Sequence, residues 1–294
     1  MARRSSLREI REQTYKPRDA WWTVLLVDPV AAPLVRLISP YRWITPNVLT
    51  GLAAVVGLGS AACFLAGGRW WVVAGALLFH VSFLIDCMDG KIARLNGTGT
   101  MFGTWLDFMF DRLRVFLCAL ALFGGQYART GSVTYLWVMI GVIFLDLFRY
   151  LDGQQMAKVR QAMREQLDEA RGPVTEPTPA PAPAATSGFR GRMRDELARR
   201  RIRTHLFSGI EYEMTVFIVG PLIGFVLPAA VLAGGLMLVF ELRLIFRLWQ
   251  ATRAFPVALA RAGAAAAVDA AHLPVQDPGR GQEAVILPEG AGLG

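Results

Sequence analysis

The chain has 294 residues, 54% of them hydrophobic, and a mean hydropathy of +0.38. That is too apolar for an ordinary soluble domain, so membrane spans are the first expectation. A formal charge of +8, from 31 Lys+Arg against 23 Asp+Glu, fits loops lying on anionic lipid heads, and with nothing else to support it no nucleic-acid partner is expected.

The opening segment, MARRSSLREIREQTYKPRD, is polar and has no apolar core, so no cleavable signal peptide is expected. The next stretch, DAWWTVLLVDPVAAPLVRLIS, is apolar but interrupted by Pro29 and Pro33, which argues against a span. It predicts a helix lying in the membrane interface, anchored by Trp21 and Trp22; a short buried connector is the alternative. Residues 1–43 thus form a cytoplasmic arm and interfacial helix. About six apolar segments of spanning length follow, near 46–66, 69–90, 100–124, 133–152, 206–226 and 228–250. The expected architecture is an all-α integral membrane protein, a six-transmembrane-helix bundle with an N-terminal interfacial helix, its membrane domain covering 44–253.

An insert at 153–205 interrupts that domain: a polar helix (MAKVRQAMREQLDEARG), a Pro/Ala-rich linker (PVTEPTPAPAPAATSG) and a basic helix (GFRGRMRDELARRRIRTHL). Residues 254–294, rich in Ala and Gly, predict a flexible tail. Lys and Arg concentrate in the N-terminal arm, the second-to-third connection (Lys91, Arg94), the insert and the start of the tail, whereas the opposite loops offer only Arg69 and Arg129. The basic side is expected to be cytoplasmic, with both termini inside a bacterial plasma membrane. Cys63, Cys87 and Cys118 lie in apolar segments without metal spacing and read as small core residues.

The chemistry concentrates in DCMDGKIARLNGTGTMFGTWLDFMFD, which places Asp86, Asp89, Asp107 and Asp111 among apolar neighbours. Carboxylates in a membrane point to an ion, a proton path or a substrate. Asp86 and Asp89 share one helical face, and so do Gly103, Asp107 and Asp111. The Asn96-Gly97-Thr98-Gly99 turn signal should fold the two helices into an antiparallel hairpin with all four carboxylates at matching depth. Such a group must be protonated or neutralised by cations, and an all-oxygen set suits Mg²⁺ or Mn²⁺, two divalent ions balancing four carboxylates. Gly90 and Gly103 remove side chains where a ligand approaches, Ala93 keeps the face open, and Arg94 is suited to a phosphate. Together these describe a pyrophosphate or phosphoryl-transfer site. An ion-transport site or a structural contact is the plainer alternative.

The run reads D-x-x-D-G-x-x-A-R, then G-x-x-x-D-x-x-x-D, and in every fixed position it resembles the signature of the CDP-alcohol phosphotransferase (phosphatidyltransferase) family. The resemblance covers roughly 20–250, with ITPNVLT a weaker element. It implies a dimeric membrane enzyme with two divalent ions that transfers the phosphate-linked group of a CDP-alcohol, such as CDP-diacylglycerol, to an acceptor alcohol and releases CMP, as in phospholipid biosynthesis. On that resemblance Asp86, Asp89 and Asp107 would be metal ligands, and Asp111 a ligand and the general base. Gly90, Ala93, Arg94 and Gly103 would line the CDP pocket, with Thr45, Pro46 and Asn47 closing it.

The acceptor pocket is harder to read. Arg149 and Glu211 are the candidates, for a phosphate and for hydroxyls or an amine; local pairing of Arg149 with Asp146 or Asp152 is the alternative. Inositol phosphate, glycerol phosphate or serine would each fit. Two other functions remain: a diphosphate-using membrane prenyltransferase, whose acidic motifs lie further apart and which would release inorganic diphosphate, and a divalent-cation transporter, whose acids would be spread across the bilayer.

Overall fold

The computed structural model describes residues 6–41, 43–172 and 189–272. The Pro/Ala-rich linker and the last part of the tail lie outside them. Among the described residues every named element is helical.

The chain divides into two compact units, one of residues 1–156 and 180–248, the other of 157–179 and 249–294. The first unit opens with α1 (Leu7–Thr14), started by a capping box in which Ser6 Oγ accepts from the Glu9 amide at 3.1 Å and the Ser6 amide donates to Glu9 Oε2 at 2.8 Å. A helical path then runs from Trp21 through a π turn at Thr23–Val27 into α2 (Asp28–Ile38). Pro29 lies just past the π turn, inside the continuous helical path, where it removes one backbone donor. Trp21 donates its indole N–H to the Leu206 carbonyl at 2.8 Å, and Trp22 meets the His80 ring edge-on.

Thr45 and Pro46 start α3 (Pro46–Ala66), Thr45 Oγ1 accepting from the Val48 amide. Two glycines with positive φ, Gly67 and Gly68, turn the chain into α4 (Arg69–Asn96). These helices meet through small residues, as lipid-embedded helices must where close van der Waals fit replaces the hydrophobic drive. Ser60 Oγ donates to the Gly75 carbonyl and Ser82 Oγ to the Ala53 carbonyl, each at 2.7 Å. A Cβ on Gly75 would lie 2.6 Å from the Phe64 ring, so only glycine admits that ring.

Gly97, left-handed at φ 62°, ends α4, and Thr100 caps α5 (Met101–Ala119) by accepting from the Gly103 amide at 2.9 Å. A π turn at Leu120–Gly124 leads into α6 (Gly125–Thr130). Next come α7 (Thr134–Arg171), α8 (Phe189–Arg199), α9 (Gly209–Met214), a π turn at Thr215–Val219, α10 (Gly220–Ile223) and α11 (Val226–His272). In the second unit, 157–171 and 249–272 are helical, so the boundaries expected at 153 and 254 both fall within helices.

Among the described residues four helices are long and apolar enough to cross a membrane: α3, α4, α7, and α11 as far as Ala267. The segments expected as third and fifth spans are helical but interrupted by π turns, and they bury Arg112 and Arg114, and Glu211 and Glu213, respectively. Arg69 donates to the carbonyls of Pro221 and Leu222, and Arg129 to that of Leu65, so both guanidinium groups satisfy carbonyls at helix ends.

Candidate active site

Asp86 and Asp89 leave α4 one turn apart and Asp107 leaves α5; one carboxylate oxygen from each lies within 4.8 Å of the others. Three like charges this close repel unless a proton or a cation intervenes. The donor set is all hard oxygen and so fits a divalent ion such as Mg²⁺ or Mn²⁺.

The site is not made by the α4–α5 turn alone. Helix α3 packs against both α4 and α5 and contributes polar groups from its first turns. Thr50 Oγ1 donates to Asp89 Oδ2 at 2.5 Å while Asp89 is 5% exposed, which fixes that carboxylate's direction. Asn47 approaches α5 at Gly103, where a Cβ would lie 2.9 Å from Asn47 Oδ1 and 3.0 Å from Thr100 Oγ1. The resulting open cleft is lined by Pro46, Asn47, Asp89, Gly90, Gly103 and Asp107, with Ala93 and Thr98–Thr100 at the turn.

The remaining predicted residues are placed differently. Thr45 caps α3. Arg94 does not line the cleft: its Nε donates to the Thr14 carbonyl at 2.9 Å, and its guanidinium leans over the open face of Gly90, where a Cβ would sit 3.5 Å from one terminal nitrogen. Asp111 stands apart from the three-carboxylate group, one oxygen held by Arg112 and the other by Arg114. Arg114 also reaches to 3.7 Å from Asp86 Oδ1 and donates to Ser82 Oγ at 3.2 Å. Arg112 bonds Asp146, the Tyr150 hydroxyl at 2.9 Å and Glu213 at 3.1 Å, its guanidinium lying 3.7 Å from the Tyr150 ring centre.

The local pairs considered for Arg149 do not form. Asp146 goes to Arg112, and Arg149 Nε pairs with Glu241 Oε1 of α11 at 3.2 Å. Asp146 and Arg149 lie one turn apart on α7, and here tertiary partners outrank proximity in sequence. Glu211 is 2% exposed and its Oε2 accepts from the Ser208 amide and hydroxyl at the start of α9, leaving Oε1 without a hydrogen-bond partner. His205 packs on the Phe240 ring, and burial, followed by the charges of Arg203, Arg149 and Arg243, pushes its imidazole below the ordinary value.

Sequence reasoning passed over Arg112, Arg114 and Thr50. The arginines carried a signal, since each is an ionisable group in an apolar helix next to an aspartate that needs a partner. Thr50 carried little, because nothing local says which face of α3 turns inward.

Residues 43–175 match the family model described as CDP-alcohol phosphatidyltransferase. Over this segment the chain is similar to the CDP-alcohol phosphatidyltransferase family. Among curated relatives, phosphatidylinositol phosphate synthase of Mycolicibacterium smegmatis is 39% identical over 92 residues, 31% of this chain and 37% of that protein. Archaetidylinositol phosphate synthase of Methanothermobacter thermautotrophicus is 30% identical over 123 residues, 42% of this chain and 56% of its own. A bifunctional IPC transferase and DIPP synthase of Aquifex aeolicus is 37% identical over 89 residues, 29% of this chain and 20% of its own. The matches therefore span between a fifth and just over half of these relatives. The family match includes the whole cleft and its aspartates.

Proposed function

We propose that this protein is a membrane transferase that moves the phosphate-linked alcohol of a CDP-alcohol, CDP-diacylglycerol first among them, onto an acceptor alcohol with release of CMP. The observation that carries this reading is the approach of Asp86, Asp89 and Asp107 to within 4.8 Å beside a cleft lined by Asp89, Gly90, Gly103 and Asp107, inside the segment that matches the family.

Asp86, Asp89 and Asp107, joined by Asp111 across Arg114, would hold two divalent cations. Bound there, such ions polarise a diphosphate and offset the charge that develops on departing CMP. The side chains do the rest. Thr50 fixes Asp89. The missing side chains at Gly90 and Gly103 admit the nucleotide, with Ala93, Thr45, Pro46 and Asn47 around it and Arg94 beside it. The acceptor oxygen attacks the phosphorus that carries the alcohol, the phosphoanhydride bond to CMP breaks, and the hydroxyl proton passes to Asp111. Arg112 and Arg114 hold that carboxylate in position, and each of its oxygens retains a lone pair for the proton.

The acceptor is a phosphorylated polyol, inositol phosphate in the first instance. The kinship with inositol phosphate lipid synthases supports this, as do Arg149, Arg203 and Arg243 around His205. In the membrane the chain adopts six spans, with α5–α6 and α9–α10 added to the four long apolar helices and the Trp21–Ile38 path in the cytoplasmic interface. Both termini and the cleft face the cytoplasm, and two copies associate. The deciding experiment offers CDP-diacylglycerol and a panel of labelled acceptors to the purified protein and identifies products by mass. Phosphatidylinositol phosphate with stoichiometric CMP is expected; inorganic diphosphate, or no product with any acceptor, would overturn the reading.

A further inference from the structure

Asp28 joins three segments that are far apart in sequence. Its Oδ1 lies 3.0 Å from Lys91 Nζ, and both side chains are 5% exposed. Its Oδ2 accepts from both terminal nitrogens of Arg201, at 3.2 and 3.3 Å. Lys91 belongs to α4, two residues beyond Asp89, and points away from the cleft toward α2. Arg201 follows α8, at the end of the insert, and has φ of 61°, the one non-glycine among the described residues with positive φ. A left-handed arginine is uncommon and needs surrounding contacts to hold it.

The side-chain contacts of Arg201 all run to the N-terminal segment. Arg201 Nε and a terminal nitrogen donate to the Lys16 carbonyl at 3.1 and 3.0 Å, and its guanidinium stacks 4.2 Å from the Tyr15 ring centre. Asp19 and Ile202 form a short parallel bridge. The Tyr15 hydroxyl donates to the Asp28 carbonyl at 3.1 Å; burial, then the Asp28 charge, raise the phenol's pKa and keep it a donor. The outcome is a fixed backbone at Thr14–Lys16, and the Thr14 carbonyl holds Arg94 Nε. Arg94 in turn leans over Gly90, which lines the cleft.

We propose that Asp28 is a positioning residue for the donor side of the site: by gripping Lys91 and Arg201 together it fixes the Thr14 carbonyl, which aims Arg94 across Gly90 at the nucleotide diphosphate. This rests on the functional reading above. Breaking the grip leaves the carboxylates and the acceptor side in place and lets Arg94 swing. The effect falls on the CDP-linked substrate alone.

The test is steady-state CMP release by the full-length protein in detergent, varying donor and acceptor separately. Asp28→Asn is expected to raise KM for the CDP-alcohol roughly tenfold, with kcat and acceptor KM within about threefold of the wild type, which is the signature of lost ground-state binding. Asp28→Glu should recover most of the donor KM. Arg94→Ala should raise it as well, and adding Asp28→Asn to Arg94→Ala should raise it no further, because both act through one group. Full additivity, or an equal rise in both KM values, would overturn the proposal. If Asp28→Asn does not fold, Arg201→Gln removes only the more exposed arm of the grip. A several-fold rise in donor KM then supports the proposal, and an unchanged donor KM overturns it. A wild type that releases no CMP sinks the functional reading and this inference with it; variants that match an active wild type sink the inference alone.

Discussion

At the scale of single residues, the molecule buries charge and then partners it. Arg112, Arg114, Asp146, Glu213 and Glu241 are all buried, and each has an opposite charge within 4 Å. Removing one member of such a pair strands the other in a low dielectric, which costs about 3–5 kcal/mol. Thr50 acts more gently, orienting a proposed ligand through one hydrogen bond. Thr50→Val is therefore expected to raise the metal concentration for half-maximal activity by roughly 10-fold or more while the protein stays folded, as for other outer partners of ligating side chains; an unchanged metal requirement would count against the orientation of Asp89. His205 offers a pH test. Its folded pKa lies below 6.5, so under about pH 6.5 the unfolded chain takes up a proton that the folded chain refuses. The stability linked to this group is intact above that pH and falls as pH drops toward the depressed value. Melting at pH 7.5 and 5.5 should show a smaller loss for His205→Gln than for wild type; equal losses would contradict an imidazole held neutral against Phe240 beside Arg203, Arg149 and Arg243. The approach of Asp86 and Asp89 to Asp107 was legible in the fixed spacing of an apolar run, whereas the expected convergence of all four was not met, because Arg112 and Arg114 hold Asp111. The choice of partners was not legible: Asp146 and Arg149 lie one turn apart, yet one turns to α5 and the other to α11.

At the scale of elements, the long helices followed from length and apolarity, and their ends from Thr45, Pro46, Gly97 and Thr100. The π turns at Thr23–Val27, Leu120–Gly124 and Thr215–Val219 had no sequence signal that separates them from continuous helix. Nor did periodicity reveal that α3 lies against both α4 and α5, because α3 is apolar nearly all round and no stripe marks its inner face. That packing depends on small residues. Gly75→Ala would force its new methyl to within 2.6 Å of the Phe64 ring, and a loss of about 1–3 kcal/mol is expected for such overpacking. Thermal unfolding in micelles measures it, and an unchanged midpoint would mean that Phe64 moves aside freely. Gly59→Ala, whose Cβ would meet only Leu78 at 3.8 Å, is the matched control.

At the scale of the whole molecule, the family match covers 43–175 and so takes in the cleft, its aspartates and the start of the insert. The regions outside it supply the partners that hold the site from behind: Glu213 for Arg112, Glu241 for Arg149, and Asp28 with Arg201 for the segment under Arg94. A sequence signature locates reacting groups, whereas the groups that steady them come from wherever the fold brings a complementary charge. The central claim is that Asp86, Asp89 and Asp107 hold a divalent cation on which transfer depends. It is tested most directly by CMP release from CDP-diacylglycerol by the purified protein, stripped with a chelator and then titrated with Mg²⁺ or Mn²⁺, beside Asp89→Asn. The account predicts no turnover after stripping, recovery of the wild type on adding either metal, and a loss of at least about 100-fold in Asp89→Asn at every metal concentration. Full turnover in the stripped wild type, or an Asp89→Asn variant that keeps pace with it, would contradict the account.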